Sequence, residues 1–228
     1  MDRSISTRRP VERLTAALFQ AYARSLRPVL LLPDGSTQAV SEYRSAPRVF
    51  AFFERDILNV CSISPYFRLI TLVAPGRDGD RLCMALGDRF VVVRGSARHA
   101  GTQTMWRLLE TIERHPLHCG IAVDGPLGPP GTVRPGALMC ARRSGRQLVP
   151  LVAMTRFGVT APGTWSGLQV PVAGCRVVLA LGQPRLVPPD ADKQAVQELC
   201  GVVRDELEVL RQRAGTFLGR PFPSDVRP

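Results

Sequence analysis

The chain has 228 residues, 45% hydrophobic and 21% charged, a globular balance that excludes a disordered chain or a fibre. Thirty basic residues against 19 acidic ones leave a net charge of +11, and Lys193 is the only lysine. Such charge points to polyanionic partners (anionic lipid, phosphorylated substrates or nucleic acid) without choosing among them.

Val11 to Leu26 has the period of an amphipathic helix, with Leu14, Leu18 and Tyr22 on one face and Arg8, Arg9, Arg13, Arg24 and Arg27 on or beside it. Its functional reading is a basic helix on an anionic membrane surface; the plainer reading, preferred because the apolar face is small, is a helix packed on its own domain. Val29–Leu32 and Arg48–Phe53 read as strands, with a turn at Pro33-Asp34-Gly35-Ser36. Phe67–Ala74 is a third apolar run, Arg81–Leu86 a short helix and Phe90–Val93 a buried strand. Gly101–Arg114 is a helix, Cys119–Val123 a strand and Gly136–Ser144 a helix stopped by Gly145. Leu148–Met154 and Arg176–Leu181 are strands, Gly158–Gly174 an irregular excursion with no chemistry assigned, and Ala191–Arg213 a long closing helix. Trp106 and Trp165 read as packing residues.

Strands alternating with helices predict an α/β domain with a twisted, largely parallel sheet flanked by helices. The expected organisation is an N-terminal basic helix appendage over 1–28, the α/β domain over 29–214 and a tail over 215–228. No apolar run approaches the ~18 residues of a spanning helix. No signal peptide is read behind the basic N-terminus, so the cytoplasm is the default location. Six cysteines, at 61, 83, 119, 140, 175 and 200, form no CxxC pair and are expected as buried free thiols, with no metal. Each of the three histidines, His99, His115 and His118, is expected to be solvated or capping.

Four loops at predicted strand ends could carry chemistry. Asp124-Gly125-Pro126-Leu127-Gly128-Pro129-Pro130-Gly131 could cradle a phosphate on backbone N–H groups, or be a rigid turn capped by Asp124. Val93-Arg94-Gly95-Ser96 puts an arginine where it could grip phosphate oxygens, or a plain surface arginine. Gly76-Arg77-Asp78-Gly79-Asp80 reads as a charge-rich turn in which Arg77 and Asp78 pair or face a substrate. Phe52-Phe53-Glu54-Arg55-Asp56 offers a carboxylate pair, or an exposed acidic helix start.

In this order, with Val149-Pro150 and Val187-Pro188-Pro189-Asp190-Ala191-Asp192 behind them, these motifs resemble the lysophospholipid acyltransferase superfamily over roughly 49–213, closest to an uncharacterised bacterial branch. The resemblance implies acyl transfer from acyl-CoA or an acyl-carrier thioester to a lipid hydroxyl, with no bound cofactor. It implies that Arg94 and Gly125 hold the acceptor's phosphate or headgroup; with the loop readings above, the candidate binding residues are Arg77, Asp78, Arg94, Gly95, Ser96, Asp124, Gly125 and Gly128. The catalytic dyad of that superfamily is a histidine with an acid five residues on. Here Glu54 and Asn59 stand in those places. An unperturbed glutamate, near 4.3, is a poor base at neutral pH unless burial raises it.

The loss of both dyad positions favours a catalytically degenerate relative: a lipid- or phosphate-binding accessory subunit of a membrane complex, peripheral on the inner face of the membrane. One alternative is an active acyltransferase using Glu54 and Asp56. The other, a nucleic-acid binder, is disfavoured because aromatics are only 6% and do not interleave with the arginines.

Overall fold

The computed structural model describes residues 10–95, 101–125 and 129–219. Its centre is an eight-stranded sheet in the order β2-β1-β10-β7-β3-β6-β4-β5. In chain order the strands are β1 (Arg27–Leu31), β2 (Thr37–Ala39), β3 (Val49–Phe52), β4 (Leu69–Val73), β5 (Phe90–Arg94), β6 (His118–Ala122), β7 (Leu148–Thr155), β8 (Gly158–Thr160), β9 (Gln169–Pro171) and β10 (Arg176–Leu181). Only the β1–β2 and β10–β7 pairings are antiparallel. β8 and β9 form a separate two-stranded hairpin.

All four residues of β3 are buried, which is why that strand reads as an unbroken apolar run. Alternate residues serve two cores. Val49, Ala51, Val178 and Ala180 face the helices α4 (Gly101–Arg114), α5 (Gly136–Ser144) and α6 (Lys193–Phe217). Phe50, Phe52, Val177 and Leu179 face the layer built by α1 (Pro10–Ser25), α2 (Ile57–Val60) and α3 (Arg77–Leu86). The helices present what these faces require: Leu108 and Ile112 from α4, then Val196, Cys200, Val203, Leu207 and Leu210 along α6. Asp192 caps α6 by accepting from the Ala195 N–H at 2.8 Å.

Several expectations are corrected. The turn expected at Gly76–Asp80 is largely the first turn of α3, which starts at Arg77. Gly76 carries φ +121°, and a Cβ on Gly79 would lie 2.0 Å from the Ala74 carbonyl oxygen, so both glycines are needed where the chain leaves β4. The excursion at Gly158–Gly174 contains the β8–β9 hairpin. α6 runs on to Phe217, across the domain boundary drawn after residue 214. α1 packs Ala23, Phe19 and Tyr22 inward and leaves Val11, Leu14 and Leu18 more than half exposed. Of the six free thiols, Cys61, Cys119, Cys140 and Cys200 are buried, while Cys83 and Cys175 are only partly so.

His118 is neither solvated nor a cap. It opens β6 among the rings of Tyr43, Phe50 and Phe67, and its Nδ1 accepts the Arg48 backbone N–H at 3.1 Å. Burial, then the charges of Arg48 and Arg146, pull its pKa down to about 4. The folded state therefore holds the imidazole neutral where the unfolded chain, near 6.5, binds a proton. Stability is full above about pH 6.5 and falls as pH drops towards 4. We expect His118→Phe to remove up to roughly 3 kcal/mol of that acid loss, read as a smaller drop in melting temperature between pH 7 and pH 4.5.

Candidate functional site at the carboxyl edge of the sheet

The parallel strands β3, β6, β4 and β5 end on one edge, and the residues singled out in the sequence follow them. β3 ends at Phe52, and a single 3-10 turn, Glu54–Asp56, leads into α2. This turn points its side chains in different directions and gives them different work.

Asp56 has no solvent exposure. Its Oδ2 accepts from Arg211 Nη2 at 2.7 Å and from the Ala153 N–H at 3.4 Å. It is thus a buried ion pair to α6 and a brace to β7, and its place as partner base to Glu54 is not what the geometry gives. Asn59 is 1% exposed, and neither its amide nitrogen nor its amide oxygen has a hydrogen-bond partner among the described residues. Glu54 and Asn59 therefore make no dyad-like hydrogen bond.

Glu54 is half-buried and meets two other groups. Trp165, in the loop joining β8 to β9, donates its indole N–H to Glu54 Oε1 at 3.0 Å. The Glu54 backbone N–H donates to Asp124 Oδ1 at 2.7 Å. Burial raises the Glu54 pKa above the usual carboxylate range; the Trp165 bond pulls it down in part, and the Asp124 charge pushes it up again. Asp124 is raised too, first by burial, against the backbone donors Glu54 and Gly131. Asp124 spends both oxygens on these N–H groups, so it caps the turn after β3 and closes the loop to Gly131. Arg55 lies over the Phe53 ring with its Nε buried and no partner for that atom among the described residues.

The phosphate half of the expected site lies elsewhere. Arg94 ends β5, three strand positions from β3, or about 14 Å across the sheet. Its guanidinium donates to Asp80 Oδ1 at 2.6 Å and to Cys83 Sγ at 2.9 Å, both on α3. Gly95 packs so closely on α4 that a Cβ would lie 2.3 Å from Thr104 Oγ1. Arg77 is exposed on the first turn of α3, and Asp78 pairs with Arg81 at 3.3 Å in open solvent, not with Arg77. Gly125 has open space where a side chain would be. Ser96 and Gly128 lie outside the described residues, as does His99.

The structure thus brings Glu54, Asp124 and Trp165 together, joins Asp56 to Arg211 behind them, and keeps Arg94 with Asp80. Trp165 and Arg211 were missed from sequence, since each acts over more than a hundred residues of chain. No group of three or more His, Cys, Asp or Glu among the described residues could hold a metal ion. No described helix is long and apolar enough to cross a membrane.

No protein-family profile matches the chain, and no curated protein matches it. Among solved structures, it is similar to the 1-acyl-sn-glycerophosphate (LPA) acyltransferase PlsC from Thermotoga maritima, with a TM-score of 0.51 and 12% identity. The similarity covers 96% of this chain and 87% of that one. Removing one partner of a buried ion pair leaves the other charge stranded. Arg211→Met is therefore expected to cost about 3–5 kcal/mol in urea unfolding, and Arg211→Met with Asp56→Leu to recover most of it. The chain has the acyltransferase-like α/β fold.

Proposed function

We propose that this chain is a lipid- or phosphate-binding protein built on the acyltransferase fold that has lost the chemistry of the dyad, and that it serves as an accessory subunit peripheral to a membrane. The observation that carries this reading is the state of the two dyad positions. Glu54 is hydrogen-bonded to Trp165, and Asn59 is buried with no hydrogen-bond partner among the described residues, so no base is oriented by an acid at that position. Asp56 cannot substitute, because its charge is committed to Arg211. Basic character and the exposed apolar residues of α1 support a peripheral place on an anionic membrane.

A second reading has one specific observation in its favour. Burial and Asp124 raise the pKa of Glu54, which makes it a better base at neutral pH than a free glutamate. On that reading Glu54 takes the proton of a lipid hydroxyl attacking an acyl-CoA or acyl-carrier thioester.

Purified protein incubated with acyl-CoA and mixed lysophospholipids separates the two. The degenerate reading expects no turnover in the parent or in Glu54→Ala. It also expects retained binding of the lysophospholipids. Parent turnover that Glu54→Ala reduces by at least a hundredfold would overturn it in favour of the carboxylate base.

A further inference from the structure

The β8–β9 hairpin has one face that packs Gly158 and Pro171 on its own protein and one face whose apolar residues are, among the described residues, largely exposed. Its register pairs Gly158 with Pro171 and Val159 with Val170, and the Val172 N–H donates to the Phe157 carbonyl at 3.0 Å. Residues paired across strands share a face, so Phe157, Val159, Val170 and Val172 stand together. The other face holds Gly158 and Pro171. Pro171 is buried, and a Cβ on Gly158 would lie 2.9 Å from Thr155 Cγ2. On the exposed face Phe157, Val159 and Val172 are 62%, 61% and 51% exposed. Single exposed apolar residues need no explanation, but three aligned on one small sheet, with half-buried Val170 among them, make a patch.

A second exposed apolar stripe lies on α1, which is tied to the hairpin at its C-terminal end. Val11, Leu14 and Leu18 form an exposed stripe at helical spacing, and Tyr22, one turn on, donates its hydroxyl to the Pro171 carbonyl at 2.5 Å. The Gly174 N–H donates to Ser25 Oγ at 3.2 Å, a second tie between the same elements. Exposed arginines surround this junction. Arg27 and Arg176 are register partners at the starts of β1 and β10, Arg24 ends α1, and Arg156 lies with its guanidinium 5.6 Å from the centre of the Phe157 ring.

From this arrangement we propose that the outer face of the β8–β9 hairpin, together with the α1 stripe, docks on the surface of an anionic bilayer. Phe157, Val159 and Val172 enter the acyl boundary while Arg24, Arg27 and Arg176 meet lipid phosphates. Apolar side chains bordered by exposed cations match the two layers of such a surface. A second copy of this chain matches it badly, because pairing two such faces would oppose the same arginines on proteins of charge +11. The inference rests on the lipid-facing reading above and gives it an orientation: the hairpin that docks also carries Trp165 to Glu54, so the cleft opens beside the headgroups.

The test is co-sedimentation of the full chain with vesicles of phosphatidylcholine alone or mixed equally with phosphatidylglycerol. The expected result is binding to the mixed vesicles that weakens with salt. Phe157→Ser with Val159→Thr should weaken it at least tenfold, as should Arg27→Gln with Arg176→Gln. Val202→Thr with Val209→Thr, on the outer side of α6, should leave it unchanged, and thermal melts should show all three variants folded. If the parent binds and the hairpin variant binds equally well, the docking face is overturned and the lipid-facing reading stands. If the parent binds neither vesicle, both fall. If the parent sediments as a dimer without lipid and the hairpin variant as a monomer, the face is a self-association surface and the proposal is overturned.

Discussion

A carboxylate with no access to water must meet a cation, and Asp56 meets Arg211 across 155 residues of chain. Because the desolvation of both ions is large, the pair is worth more as a constraint than as a source of stability. It fixes the turn after β3 against α6, while the Ala153 N–H adds β7 to the same oxygen. Two residues further along α6, Arg213 reaches the carbonyls of Leu32 and Pro33 in the β1–β2 turn. One helix thereby locates, from two of its sides, both the site turn and the antiparallel edge of the sheet. Glu54 owes its position to this arrangement: its neighbour Asp56 is anchored from behind while its own N–H is held by Asp124.

With that anchor in place, the carboxyl edge divides into two compartments. One is acidic and half-buried, containing Glu54 and Asp124 under the indole of Trp165. The other is Arg94 with Asp80, where the nearest carboxylate already occupies the guanidinium. An arginine satisfied in this way can still bind a ligand, but it must exchange one partner for another, and affinity falls by the difference.

Much of this architecture is legible in the residues. α4, α5 and β10 have the bounds that periodicity and glycine punctuation predict, Gly101–Arg114, Gly136–Ser144 and Arg176–Leu181. The sheet and its flanking helices follow from alternation of apolar runs with amphipathic ones. α3 began four residues earlier than its apolar period indicates, because Arg77 to Asp80 are charged or glycine and carry no hydrophobic signal, although Asp78 and Asp80 suit a helix N-terminus. The hairpin was missed because three-residue strands set apart by a loop holding Gly163 and Gly167 give no pattern long enough to read. His118 looked exposed because the pattern before it, a polar turn, is exposed; its burial comes from Tyr43 and Phe67, far away in sequence. Of the site, Glu54 and Asp124 could be named in advance, since each stands just past a predicted strand. Their partners could not, since no local rule links 54 to 165 or 56 to 211.

The parallel pairing of β1 with β10 has a consequence in time. During synthesis α1 and β1 leave the ribosome first, yet the strand that covers one side of β1 and the hairpin that holds Tyr22 emerge about 150 residues later. At 5–20 residues per second that is an interval of roughly 10–30 s. For that interval Leu30 and Leu31 have no β10 beside them and the α1 stripe has no hairpin. Until β10 arrives, Phe19, Tyr22 and Ala23 of the helix lack the finished layer on which they pack.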